Sequence, residues 1–182
     1  MALPQLNTEQ LVAKCREQNQ NAQLEIYNRY YKAMYNTAQR IIKDQAEAED
    51  VMQESFLTAF TKLHMLDDNA LFGAWLKRIV INASLTATRK KDVHREVALE
   101  NVEYTLTDTN DVIEKDVAKA KVHTIMNTLS QLKGSYSTAL SLHLIEGYDY
   151  EEISEIMNIS YGNCRTLISR AKESLRKKLQ FV

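Results

Sequence analysis

The chain has 182 residues, of which 45% are hydrophobic and 26% are charged, and its formal net charge is −1. These proportions exclude disorder throughout the chain, and two cysteines are too few for a disulfide framework. One proline and four glycines leave little turn chemistry for a many-stranded sheet, so an all-α fold is predicted.

Three long amphipathic helices are predicted in roughly the first ninety residues. The first has apolar residues at helical spacing: Leu24, Tyr27, Tyr31, Met34, Tyr35, Ala38, Ile41 and Ile42. Asp44, with Glu47 three residues later, is a suitable N-cap for the second. The third has the apolar residues Phe72, Trp75, Leu76, Ile79 and Ala83. Three such stripes can close the core of a helical bundle.

Charge is segregated along the rest of the chain. Residues 77–95 contain six basic side chains and one acid, whereas residues 96–116 contain seven acids and one lysine. Helical periodicity fades in the acidic stretch, which is typical of a flexible linker. We therefore expect a first helical domain over residues 1–92, an acidic linker over 93–116, and a second, smaller helical domain over 117–182.

The second domain contains a pattern typical of a helix-turn-helix motif in residues 146–172. Asp149 can cap a short acidic helix, residues 158–160 can form the turn, and Ser160 can cap a basic helix. The second helix of such a motif lies in the DNA major groove. The candidate base-reading residues are Tyr161, Asn163, Arg165, Thr166, Ser169 and Arg170. An ordinary helical hairpin with a solvated basic face is the alternative.

Two further helix faces have the composition of binding surfaces. On the second helix, the side opposite the core has the residues Glu47, Asp50, Gln53, Glu54 and Leu57. A leucine among acids suits a partner that carries basic and apolar groups. On the third helix, Arg78, Asn82, Leu85 and Arg89 share one side, which could follow a nucleic-acid backbone. A solvated polar face is the alternative at both places.

Enzyme motifs are absent from the sequence. There is no HExxH, no phosphate-binding glycine loop and no GxSxG elbow. None of the four histidines follows a glutamate by three residues, as in helical di-metal sites. We therefore expect no catalytic residue, no metal site and no cofactor. The N-terminus lacks the features of a signal peptide, and no apolar stretch approaches the ~20 residues that span a bilayer. We expect a cytoplasmic protein without membrane insertion.

Taken together, three segments resemble bacterial RNA polymerase sigma factors of the extracytoplasmic-function (ECF) subgroup. They are YNRYYKAMYNTAQRIIKDQAEAEDVMQESFLTAF (27–60), LFGAWLKRIVINASLTATRKK (71–91) and LIEGYDYEEISEIMNISYGNCRTLISRAKESLRKKL (144–179). The resemblance implies that the two predicted domains are sigma domains 2 and 4. It also implies a function in promoter recognition, DNA melting and transcription initiation.

The same resemblance implies partners for each surface. The acidic helix would dock on the clamp coiled coil of the largest polymerase subunit, and the second domain would meet the flap of the second-largest subunit. The helix from Gly162 would read the minus-thirty-five duplex. The loop Met65–Ala70 and the helix around Asn82 would capture an unstacked base of the minus-ten element. The implied minus-ten contacts are Met65, Leu66, Asp67, Arg78, Asn82 and Arg89.

Other classes of function remain open from the sequence. A free-standing helix-turn-helix regulator would use its N-terminal bundle to dimerise or to sense a ligand, and it would protect a palindrome without polymerase. A helical adaptor without a DNA role would show no salt-dependent affinity for DNA. A sigma factor of this subgroup could also bind an anti-sigma factor or another recruiting factor.

Overall fold

The computed structural model describes residues 5–97 and 117–180, with side chains for 5–91 and 121–180. Every regular element in these ranges is a helix or a helical turn. The chain divides into two compact units, one up to residue 89 and one from residue 90. The predicted all-α fold with two helical units is confirmed. Residues 98–116, most of the expected linker, lie outside the described residues.

The first unit contains four α-helices: α1 (Thr8–Arg16), α2 (Gln20–Ile42), α3 (Gln45–Thr61) and the start of α4 (Phe72–Val97). Two short 3₁₀ turns, Leu63–Met65 and Asn69–Leu71, connect α3 to α4. The side chain of Asp44 accepts a hydrogen bond from the Glu47 backbone N–H at 3.0 Å and caps α3 as predicted. Helix α4 continues five residues into the range 93–116 that the sequence assigns to the linker.

The core of the first unit is built by all of its helices. Phe72 is fully buried and contacts Tyr30 edge-on, with 5.7 Å between the ring centroids. Phe56 packs against Tyr27 with centroids 4.8 Å apart. Helix α1, which the hydrophobic pattern did not single out, contributes the buried residues Leu11, Val12 and Cys15. Burial of each large apolar side chain stabilises the fold by about 1.5–3 kcal/mol.

The buried face of α2 differs from the predicted stripe. Leu24 is 59% exposed and Tyr31 is 44% exposed, so neither belongs to the core. Ile26, which the predicted stripe omitted, is fully buried. The reason is that α2 packs against both α1 and α3, and the face between these neighbours excludes Leu24. Tyr31 instead stacks on Tyr27 at 5.7 Å between centroids.

The second unit contains α5 (Val117–Ser130), α6 (Gly134–Leu140), α7 (Tyr150–Met157) and α8 (Tyr161–Leu179). A single π-helical turn, Ser141–Ile145, follows α6. The core residues include Leu129, Leu140, Leu142, Ile153, Ile156, Cys164, Ile168 and Leu175. Two apolar residues of this unit, Ile125 and Leu144, are exposed and lie outside this core. No helix among the described residues is long and apolar enough to cross a membrane.

The contrast between Leu11 and Leu24 yields a stability test. Leu11→Ala removes a fully buried side chain and should lower the free energy of unfolding by about 3 kcal/mol. Leu24→Ala removes the same atoms from an exposed position and should change it by less than about 0.5 kcal/mol. Urea denaturation followed by circular dichroism measures both. Equal losses of stability in the two variants would contradict the exposure of Leu24 on α2.

Candidate functional site

The turn between α7 and α8 has the geometry that the sequence predicts for a helix-turn-helix motif. Asp149 and Glu152 form a reciprocal capping box at the start of α7, with hydrogen bonds of 2.8 and 2.9 Å. Asn158 ends α7 in the left-handed conformation, with φ 53° and ψ 52°. Ser160 then caps α8 by accepting a 3.3 Å hydrogen bond from the Asn163 backbone N–H. Both predicted caps are confirmed.

Helix α8 separates a buried face from an exposed polar face. Cys164, Ile168, Ala171 and Leu175 pack into the core, and burial raises the pKa of the Cys164 thiol. The six predicted base-reading side chains are all exposed: Tyr161, Asn163, Arg165, Thr166, Ser169 and Arg170. Their exposure leaves one polar face of α8 able to enter a major groove.

Two lysines bind α8 to the other helices of its unit. Lys178 Nζ donates to the Gln131 carbonyl at 3.2 Å, next to α5. Lys172 Nζ lies 3.4 Å from the Tyr150 hydroxyl and 5.8 Å from the centroid of the same ring. Since these contacts use lysines outside the predicted base-reading set, they fix the orientation of α8 without occupying its exposed face.

Helix α3 presents the predicted acidic face. Asp50, Gln53 and Glu54 are exposed, and Glu47 is partly buried. Leu57 is 68% exposed in the same face, although Met52 and Phe56 on the opposite side are buried. An exposed leucine bordered by carboxylates can contribute apolar contact area to a basic partner.

The segment between α3 and α4 exposes only part of the predicted minus-ten set. Met65 is 62% exposed and Asp67 is exposed, whereas Leu66 is only 6% exposed. The predicted contact between the Leu66 side chain and DNA is therefore incompatible with this fold, because that side chain packs into the core of the first unit. Its carbonyl accepts a hydrogen bond from Arg16 of α1. Arg16 is not among the predicted site residues, because no local sequence pattern relates residues 50 positions apart.

Along α4, three of the four predicted side chains are accessible. Asn82 and Arg89 are exposed and Arg78 is partly buried, but Leu85 is buried. Leu85, which the sequence places on the same side, is buried because the buried stripe of α4 extends to it from Leu76 through Val80, Ile81 and Ser84. Residues 78, 82 and 89 lie within about 40° of one another around the helix, so they still form one polar strip.

Known proteins match both units. The family Sigma-70 region 2 matches residues 26–93, and the family Sigma-70, region 4 matches residues 123–175. The chain is 30% identical over 177 residues to "ECF RNA polymerase sigma factor SigW" of Bacillus subtilis (strain 168), covering 93% of this chain and 95% of that protein. It is 31% identical over 189 residues to "RNA polymerase sigma-H factor" of Pseudomonas aeruginosa, covering 98% and 96%.

Solved structures share the fold. CnrH, solved in complex with the cytosolic domain of CnrY, is 22% identical with a TM-score of 0.56, covering 95% of this chain and 97% of that one. RpoE from Bartonella quintana, solved with the anti-sigma factor NepR, is 20% identical with a TM-score of 0.63, covering 86% and 95%.

The match to region 4 covers the helix-turn-helix motif, and the match to region 2 covers most of the first bundle. They favour the sigma-factor interpretation over a free-standing regulator or a helical adaptor. The chain belongs to the ECF sigma factors of the sigma-70 family, and it directs promoter recognition and transcription initiation by RNA polymerase.

Proposed function

We propose that the two units of this sigma factor divide promoter recognition between them. The first, residues 1–92, binds core polymerase and the minus-ten element. The second, residues 117–182, reads the minus-thirty-five duplex, and residues 93–116 connect them. The observation that supports this division most directly is that the docking set on α3 and the minus-thirty-five set on α8 each lie on a helix whose opposite side is buried. A helix packed in this way presents its exposed face without unfolding.

Docking on polymerase rests on the exposed face of α3. Asp50 and Glu54 attract a basic helix pair such as the clamp coiled coil, and Leu57 provides apolar contact at the same place. Charge attraction raises the association rate, whereas the desolvated leucine slows dissociation. Both effects act on a surface whose backbone is already rigid.

Melting at the minus-ten element uses the α3–α4 loop and α4. Arg78 and Arg89 neutralise phosphates, while Met65, Asp67 and Asn82 contact an unstacked base. Unstacking costs a few kcal/mol per base, and stacking with pocket contacts returns about 1–3 kcal/mol per base. Because binding energy directed at the opened form shifts the closed–open equilibrium, strand opening needs no ATP hydrolysis, and the subunit itself is not an enzyme.

Reading of the minus-thirty-five element rests on the first turns of α8. Arg165 can form the bidentate contact with guanine, and Asn163 the corresponding contact with adenine. Tyr161, Thr166, Ser169 and Arg170 complete the exposed face. The remaining basic residues near the C-terminus of α8 add attraction to phosphates that does not depend on sequence.

Further partners follow from this role. Because it acts with polymerase on promoter DNA, the protein works in the cytoplasm. The flap of the second-largest subunit would hold the second unit at the correct distance from the first. CnrH and RpoE were solved with protein partners. We propose that an anti-sigma factor, or another recruiting factor, also binds this chain. No cofactor or metal is required for these steps.

Reversal of one charge on α3 tests the docking face. Asp50→Arg should abolish binding to core polymerase, because it places a cation against a basic partner, and it should leave the thermal stability unchanged since Asp50 is exposed. Glu49→Arg makes the same charge change on the same helix, about 100° from the centre of the face. It removes the 3.3 Å hydrogen bond that Gln53 Nε2 donates to Glu49 but should retain most of the affinity. Co-purification with tagged core polymerase measures both. Retained binding by Asp50→Arg would contradict the docking face.

Removal of one arginine from α8 tests the reading of the upstream element. Arg165→Ala should weaken discrimination at the minus-thirty-five element by about 1–3 kcal/mol. Lys177→Ala removes a charge from the same helix outside the reading set and should weaken binding equally on all sequences. In vitro transcription with core polymerase over a randomised promoter library measures both preferences. Equal transcription from all upstream variants with the wild-type protein would refute the assignment of α8.

A further inference from the structure

The loop that precedes α4 is tied at two points to one side chain of α1. Arg16 donates from Nη2 to the Leu66 carbonyl and, at 3.1 Å, to Oδ1 of Asn69. Its Nε donates to the same Asn69 oxygen at 3.2 Å. One guanidinium therefore links the residue before the Asp67–Asp68 tip to the residue after it.

Bonds within the loop hold its two ends. On one side, the Leu66 backbone N–H donates to the Leu63 carbonyl at 3.2 Å. On the other, the Asp68 side chain accepts from the Ala70 N–H at 2.8 Å. The two aspartates between these ends are exposed. Arg16 joins the residues on either side of them by binding the Leu66 carbonyl and Asn69 Oδ1. A planar guanidinium is well suited to bind two acceptors in a defined geometry.

The helix that carries Arg16 is a rigid support. Leu11, Val12 and Cys15 are buried, and a capping box of Asn7 and Gln10 closes the N-terminus of α1. A second contact joins the same two elements, because Asn69 Nδ2 donates to the Glu9 carbonyl at 3.5 Å. Side chains held by packed elements keep a binding geometry better than side chains on an untied loop.

The same residues surround a shallow surface depression. Its lining consists of Glu9, Arg16, Leu66, Asp67, Asp68 and Asn69. Met65, the most exposed apolar residue of this segment, lies directly before it. The contacts of Arg16 thus determine the shape of the segment to which the proposed function assigns capture of the minus-ten base.

We infer that Arg16 is a positioning residue for recognition of the minus-ten element. It holds the Asp67–Asp68 tip and the adjacent Met65 in the conformation that receives the unstacked base. The inference rests on the proposed role of the Met65–Ala70 loop. Loss of Arg16 leaves the loop with several conformations, so the energy of base capture is reduced while docking on polymerase and reading by α8 are unaffected.

The test uses the full chain assembled with core polymerase. Open-complex formation is measured on promoters that carry each base pair at the captured position. Arg16→Ala and Asn69→Ala should each lower the preference for the cognate base about fivefold or more, with unchanged preference at the minus-thirty-five element. The double variant should lose less than the sum of the two single losses, because the Arg16–Asn69 contact is removed by either variant, whereas the contacts with the Leu66 and Glu9 carbonyls are each removed by only one of them. Arg16→Lys should recover only part of the preference, since an ammonium lacks the planar fork.

Arg29 provides the matched control. It also holds a backbone carbonyl of the first unit, that of Leu6 at 2.9 Å, and it pairs with Glu25 at 2.8 Å. Arg29→Ala should lower the melting temperature as Arg16→Ala does, but it should leave the base preference intact. An equal loss of preference in Arg29→Ala would reduce the effect to general destabilisation and overturn the inference.

Variants of the loop residues themselves distinguish a failure of this inference from a failure of the proposed function. If Met65→Ala or Asp67→Ala lowers the preference and Arg16→Ala does not, the positioning role of Arg16 is wrong and the role of the loop stands. If none of these variants changes the preference, the loop does not capture the base, and both the proposed role and the inference are wrong.

Discussion

Burial of Phe72 is the interaction on which the proposed minus-ten surface of the first unit depends. The residue begins α4 directly after a 3₁₀ turn, is fully buried, and contacts both Tyr30 and Trp75. Leu66, six residues earlier, is buried in the same core. The exposed tip between them is therefore pinned on both sides by apolar burial.

A second constraint is that an amphipathic helix has only one face to bury. In α3 the burial of Met52 and Phe56 exposes the acidic face, and in α8 the burial of Cys164 and Ile168 exposes the polar face. The core thus determines the surface.

Charge segregation explains how a chain with net charge −1 can present both an acidic and a basic surface. Residues 164–182 contain six basic side chains and one acid, which suits DNA, whereas the exposed face of α3 is acidic. The formal charge of the whole chain therefore does not describe the charge of either surface.

Local rules were sufficient to predict much of the fold and of the candidate site. The caps at Asp44, Asp149 and Ser160 depend on contacts three residues apart, so they could be read before any tertiary structure was known. For the same reason, the pattern in residues 146–172 was enough to predict two helices, their turn and the exposed face of α8. The segments 27–60, 71–91 and 144–179 were sufficient to predict the family.

Only the tertiary structure decided which of two plausible faces is buried and which distant residues meet. Leu24 and Ile26 lie two positions apart on α2, and the packing of α1 and α3 buries only Ile26. Leu66 carries no local sign that it turns inward, nor does Arg16 that it contacts Asn69, 53 residues away. Such contacts depend on how whole helices pack, because hydrophobic burial is non-directional and acts on the assembled core rather than on local sequence.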